Sequence, residues 1–175
     1  MGDKSAVWYG AIVRGDAPVS IGAHSQITDK AILGGNTTIG SNVFVGMRAS
    51  IAGATVKDGA VIGMAATVGE GATIGEGAYV APGAVVPPGA TVAAGKVVAG
   101  APASELRAVS EDEAASLMRS MQAYSQLSVF HVLETRKDWM EVEQDKRDRK
   151  WREDRSEDAD AALGLLEKNP RAQVW

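Results

Sequence analysis

The stretch ATVGEGATIGEGAYVAPGAVVPPGATV, residues 66–92, decides the fold. Val68, Ile74, Val80, Val86 and Val92 fall six residues apart along it, and the residue after each is usually Gly, Ala or Pro. The same period runs outward in both directions. It reaches Val98 on one side and Ile62 and Val56 on the other, slips by one residue, and resumes at Ile51, Val45, Ile39, Leu33, Ile27 and Ile21. A period of six is not the 3.6 of a helix, and Gly and β-branched residues are poor helix formers. One inward aliphatic residue per six makes one flat side of a triangular prism. Three such units, about 18 residues, close a coil, and coils stack at about 4.8 Å. The fold class this predicts is all-β, a left-handed parallel β-helix of hexapeptide repeats. The span from 21 to 98 has room for a little over four coils at roughly 18 residues each.

The repeat extends backwards through Val19, Val13, Val7 and Met1, with a phase shift of two residues before Ile21. Residue 1 therefore reads as lying inside a coil, and the expectation is that N-terminal coils precede it or that the first coil presents an open strand edge. Forward, the pattern stops after Pro102. Ser110 and Glu113 form a capping box, S-x-x-E, and Ala114, Leu117, Met121 and Tyr124 make one helical stripe. The expected organisation is a β-helix over 1–103, a packing helix over 104–135 and a charged extension over 136–175. Trp139, Trp151 and Trp175 are large apolar groups in that extension, which suits a docking tail.

Composition narrows the function. Apolar residues make up 45% of the 175 and aromatic residues only 5%, so the core is built from small and β-branched side chains. The absence of Cys excludes a disulfide framework, a thiolate metal site and a cysteine nucleophile. A formal net charge of -4 argues against nucleic acid as a partner. No apolar run approaches the roughly 20 residues needed to span a bilayer. GEGATIGEG has a G-x-G-x-x-G-like spacing but sits in the repeat with no helix after it, so it is no nucleotide site. His24 reads as a solvated corner residue and His131 as a packing or surface residue of the helix, which leaves a general base without a clear candidate.

VWYGAIVRGD at 7–16, the hexapeptide coils, GAPASELR at 100–107 and a helix carrying QAYSQL at 122–127 together resemble the gamma-class carbonic anhydrases. The resemblance covers about residues 2–135. It implies a trimer with zinc held between subunits by three His, two from one chain and one from its neighbour. The first family His follows an Asp where this chain reads TDKAILGG, and the other two sit in G-H-x-x-x-x-H-G where it reads GMRASIAG. Those positions are Gly34, Met47 and Ala52, none of which replaces imidazole on zinc. The resemblance therefore implies no metal and no catalytic residue in this chain, with zinc possible only between partner subunits. Arg14, Asp16 and Asp29 match family positions and are expected at the trimer interface.

Chains that have lost these ligands are similar to the carbonic-anhydrase-like subunits of mitochondrial respiratory complex I. The resemblance then implies a structural, non-enzymatic role in a heterotrimer with other gamma-carbonic-anhydrase subunits. That heterotrimer would dock on membrane-arm subunits at the matrix side of the inner membrane, peripheral to it and without a span of its own. Two alternatives stand beside this reading: a hexapeptide-repeat acyltransferase, and a bacterial-type ligand-binding homotrimer.

Overall fold

The computed structural model describes residues 1–153. They form two compact units, one of Met1–Phe130 and one beginning at His131. In the first, short strands wind into a three-sided parallel β-helix. One face stacks strands Ala6–Val7, Gln26–Ile27, Phe44–Val45, Val61–Ile62, Tyr79–Val80 and Lys96–Ala99. The second stacks Ile12–Val13, Ile32–Gly34, Ser50–Ala52, Thr67–Val68 and Val85–Val86. The third stacks Val19–Ile21, Thr37–Ile39, Thr55–Val56, Thr73–Ile74 and Thr91–Val92.

The predicted ladder is the core: Ile27, Leu33, Ile39, Val45, Ile51 and their successors up to Val98 are all buried together. Val7 and Val13 are 40% and 43% exposed, because their coil is covered on one side only. The single slip in the repeat is a shorter coil. Val61 pairs with Tyr79, but Phe44 pairs with Val61 one residue sooner. The corner that loses the residue turns through Gly53, at φ 59°. The phase shift before Ile21 is a longer first coil, in which Ala6 pairs with Gln26.

Buried polar side chains hold the corners. Ser25 Oγ donates to Gly40 O at 2.7 Å, and Thr28 Oγ1 donates to Val45 O at 2.7 Å. Thr37 Oγ1 donates to Gly34 O and accepts from Gly53 N–H at 3.1 Å. Among the described residues no buried side-chain polar atom lacks a partner, as the cost of burying one unpaired requires.

The outward residue of each strand decides what its face does. On the third face they are Ser20, Thr38, Thr55, Thr73 and Thr91, a hydroxyl ladder with no apolar surface to cover. On the first face they are Gln26, Phe44, Val61, Tyr79 and Val97, and these are covered. A strand at Ser104–Ala108, which the sequence pattern did not announce, turns back antiparallel to Lys96–Ala99. Helix α1, Glu111–Thr135, then lies over this face and sets the Tyr124 ring edge-on to Phe44 and Trp8, with centroids 5.1 and 5.6 Å apart. The capping box forms as expected, with Ser110 N–H donating to Glu113 and Glu113 N–H donating to Ser110 Oγ.

The second unit contains helix α2, Trp139–Glu153, capped by a reciprocal pair between Asp138 and Glu141. Lys137 bridges Glu134 at 2.6 Å and Asp145 at 2.5 Å across the turn that precedes it. Trp139 is 74% exposed. Trp151 lies in α2, and Trp175 lies outside the described residues. No helix among the described residues is long and apolar enough to cross a membrane.

Candidate functional site

A hexapeptide coil turns at each corner through a residue in the left-handed region. At the corner between the third and first faces, the upper coils use Gly59, Gly77 and Gly95, the economical choice because glycine has no Cβ to clash. In the lower coils the same column carries Lys4, His24 and Asn42, at φ 52°, 58° and 54°. They stack one above another: His24 N–H donates to Asp3 O at 2.9 Å, and Asn42 N–H donates to Ala23 O at 2.8 Å. Asn tolerates this conformation, whereas for Lys and His it costs roughly 1–2 kcal/mol each. Lys30, Arg48 and Ala65 take the same conformation at the corner between the first and second faces, so it is the space under α1 that singles out this column as a candidate site.

Helix α1 closes this corner into a cleft of about 580 Å³. Lys4, His24 and Asn42 form one wall, and Met121, Gln122 and Gln126 are among the residues of the other. The His24 side chain is exposed to the cleft, with no hydrogen-bond partner among the described residues. His24 is the exposed corner residue the sequence predicts, and α1, of which the local sequence around residue 24 gives no sign, adds the cleft beside it. His131 lies in the other unit, where its carbonyl accepts from Thr135 Oγ1 at 2.9 Å.

Gly34 and Ala52 are register partners at the end of the second face. The Arg14 side chain lies across Gly34, so that a Cβ there would come within 2.9 Å of Arg14 Cδ. Met47 stands at a different corner, between the first and second faces, and one chain does not bring the three together. Among the described residues no three His, Cys, Asp or Glu side chains are grouped to hold a metal ion. Arg14 and Asp16 face each other at 3.8 Å on the exposed surface. Asp29 contributes its carbonyl to Arg48 N–H at 3.0 Å. Met47, 40% exposed, lines an apolar groove of about 240 Å³ under α1 with Met64, Phe44, Tyr79, Met121 and Tyr124.

The comparisons with known proteins bear on this hexapeptide β-helix. Residues 53–88 match the model described as bacterial transferase hexapeptide (six repeats), and residues 36–67 match the hexapeptide repeat of succinyl-transferase. A hexapeptide transferase family protein from Anaplasma phagocytophilum is 32% identical with a TM-score of 0.71, over 73% of this chain and 78% of that one. A protein from Bacillus cereus described as an acetyltransferase is 25% identical with a TM-score of 0.71, over 74% and 78%. The acetyltransferase domain of PglB from Neisseria gonorrhoeae is 25% identical with a TM-score of 0.50, over 60% and 53%. No curated protein matches the chain. The chain belongs to the hexapeptide transferase family.

These relatives correct the expectation that the chain is not an enzyme but a degenerate gamma-class carbonic anhydrase: they are transferases. The physical reason is that the loss of three imidazoles at Gly34, Met47 and Ala52 removes one zinc chemistry from one place. Chemistry of another kind does not depend on those three positions. The matches speak for the transferase family and not for the carbonic anhydrases in particular.

Proposed function

We propose that the chain is an acyltransferase that moves an acyl group from a thioester donor to an amine or hydroxyl acceptor, with His24 as general base. The observation that carries this is the exposed imidazole of His24 in the cleft under α1, in a chain of the transferase family. The imidazole removes the acceptor's proton as its N or O attacks the thioester carbonyl carbon. The carbonyl π electrons move to oxygen. On collapse the C–S bond breaks, and the departing sulfur takes the proton back from the imidazolium. The Lys4 ammonium and the Asn42 amide line the same wall and are donors suited to the transient oxyanion.

The test is thiol release from acetyl-coenzyme A with a panel of amines and sugars as acceptors. His24→Asn keeps a side chain tolerated at positive φ and removes the base. The turnover expected for the native chain falls by about 10²–10⁴-fold in this variant. Equal rates in the two proteins, or no thioester turnover with any acceptor, would refute the assignment.

A second reading concerns assembly. Gly34 and Ala52 lie together while Met47 stands at another corner, which fits a site ancestrally divided between neighbouring chains. Ile12 and Ile32 form an exposed apolar pair on the same face, beside Arg14 and Asp16 and separated from Val85 by Ser50 and Thr67, and the pair is suited to bury against another β-helix. In this reading the chain joins gamma-carbonic-anhydrase subunits in a mixed trimer on the matrix side of respiratory complex I. Any zinc lies between those partners, and the composition of the native assembly tests it.

A further inference from the structure

The seam between α1 and the first face is packed at only a few points. Met121 is the one buried residue of α1 among those described. Leu117 and Met121, four residues apart and so on one stripe of the helix, pin it to the coils. Cavities lie on either side of each pin. Leu117 separates a space of about 190 Å³ beside Tyr79 and Val97 from the Met47–Met64 groove. Met121 separates that groove from the His24 cleft, and its side chain lines both. The two spaces differ in chemistry. Around His24 the wall mixes Lys4, Asn42, Gln122 and Gln126 with Met118 and Val129, so that polar groups and one cation stand among apolar ones. Beyond Met121 the wall is methionine, aromatic ring and aliphatic side chain, with Ser120 the one hydroxyl besides the tyrosines.

We infer that this seam is a binding site for one amphipathic molecule, with its polar, electron-rich head at Lys4 and His24 and an unbranched alkyl chain in the Met47–Met64 groove. An open apolar groove leaves its lining atoms without partners on one side, and a row of methylenes supplies them. Methionine suits the task because its unbranched, polarisable side chain moulds to a flexible chain. Met121, at the junction, is the residue such a molecule has to pass. The ligand class is thus a medium-chain acyl group. The identity of the head as a thioester carbonyl rests on the acyl-transfer reading, whereas the head-and-tail site rests on the seam itself.

The experiment uses the full chain with its methionine methyl groups labelled, titrated with acetate, butyrate and octanoate and followed by NMR. The six methionines include Met140 in the second unit, an exposed internal control. Octanoate is expected to move the Met47, Met64 and Met121 methyl signals and to leave Met140 in place. Affinity is expected to rise about fourfold for each methylene buried. Met64 is 50% exposed, so Met64→Trp places an indole in the groove without disturbing the core, and octanoate should then bind at least about tenfold more weakly. Lys4→Gln should weaken octanoate but leave octanol unaffected, because only the former has a charged head.

Unmoved methyls, equal shifts at Met140, or affinity that is flat with chain length would overturn the site. The two proposals fail separately. Octanoate shifts without any thioester turnover leave the site standing and refute the transferase mechanism. Acetyl transfer with unmoved methyls refutes the site alone.

Discussion

Two small residues two positions apart, Gly63 and Ala65, follow opposite rules. Gly63 has an ordinary φ, but a Cβ on it would lie 2.5 Å from Pro82 N and 2.7 Å from Ala81 C, in the backbone of the next coil. Its smallness lets coils stack. Ala65 has φ 56° at a corner where the next coil up uses Gly83, and its Cβ faces open space at the cost of a strained backbone. Gly63→Ala should therefore destabilise the β-helix by about 1–3 kcal/mol, since the clash is with backbone. Ala65→Gly should stabilise it by about 0.5–1 kcal/mol, the relief of the left-handed strain less the extra entropy of glycine in the unfolded chain. Denaturant midpoints of the two variants should move in opposite directions, and movement in the same direction would show that the corners are not limited by φ. At this scale the sequence was most readable where one residue type repeats. The aliphatic ladder is plain in the order of residues. The cleft beside His24 is not, because it depends on a helix that begins nearly ninety residues later in the chain.

Among the elements, α1 is fixed at its start by charge as well as by contact. Arg107, on the strand Ser104–Ala108, donates two hydrogen bonds of 2.6 Å to the Glu113 carboxylate, which also accepts from Ser110 N–H. The bond from Arg107 is the largest cause, and with the Ser110 amide it holds the Glu113 carboxyl down at about 2. A carboxyl depressed in this way stabilises the folded form fully at pH values above its ordinary range. That contribution is lost as pH falls from that range towards about 2. The helix start should loosen over this acid window, seen as a fall in far-ultraviolet circular dichroism, and added salt should weaken the effect because the pair is solvent-exposed. Glu113→Gln should show less helix at neutral pH and a flat response in the same window; an unchanged acid transition in that variant would place its origin elsewhere. The capping box was legible as S-x-x-E, and the helix stripe as spacings of three and four. The intervening strand was not, because SELRA is short, buries none of its residues and forms only against the edge offered by Lys96–Ala99.

For the molecule as a whole, assembly follows from which face is left uncovered. The first face is closed by α1 and the third carries hydroxyls. The second presents Ile12 and Ile32 side by side, with Val85 beyond Ser50 and Thr67, so copies or relatives of the chain should meet at that apolar pair. Native mass spectrometry of the intact complex should find a trimer in which this chain sits beside His-bearing relatives. A single copy should allow at most one zinc, between the two partners. A homotrimer that never mixes, or metal at either of this chain's own contacts, would remove the mixed-trimer reading. The architecture was legible because a strict period of six has few physical solutions. The chemistry is less legible because the absence of one set of ligands says nothing of other reactions, and the residues of the cleft are drawn from both ends of the first unit and share no local motif.

The stacking register carries a kinetic consequence. Val61 pairs with Tyr79, Ile62 with Val80 and Val80 with Val98, so almost every long contact in the β-helix is closed by a loop of one coil and no more. The entropic toll of each closure is therefore nearly the same from the bottom of the prism to the top, and none of it has to be met at once. Once one coil is formed, its exposed rim is a template on which the following segment can zip down, as in other linear repeat proteins. A chain of this kind should fold by growth from a seed and melt by peeling from its ends, quickly for a fold whose coils are built from parallel strands.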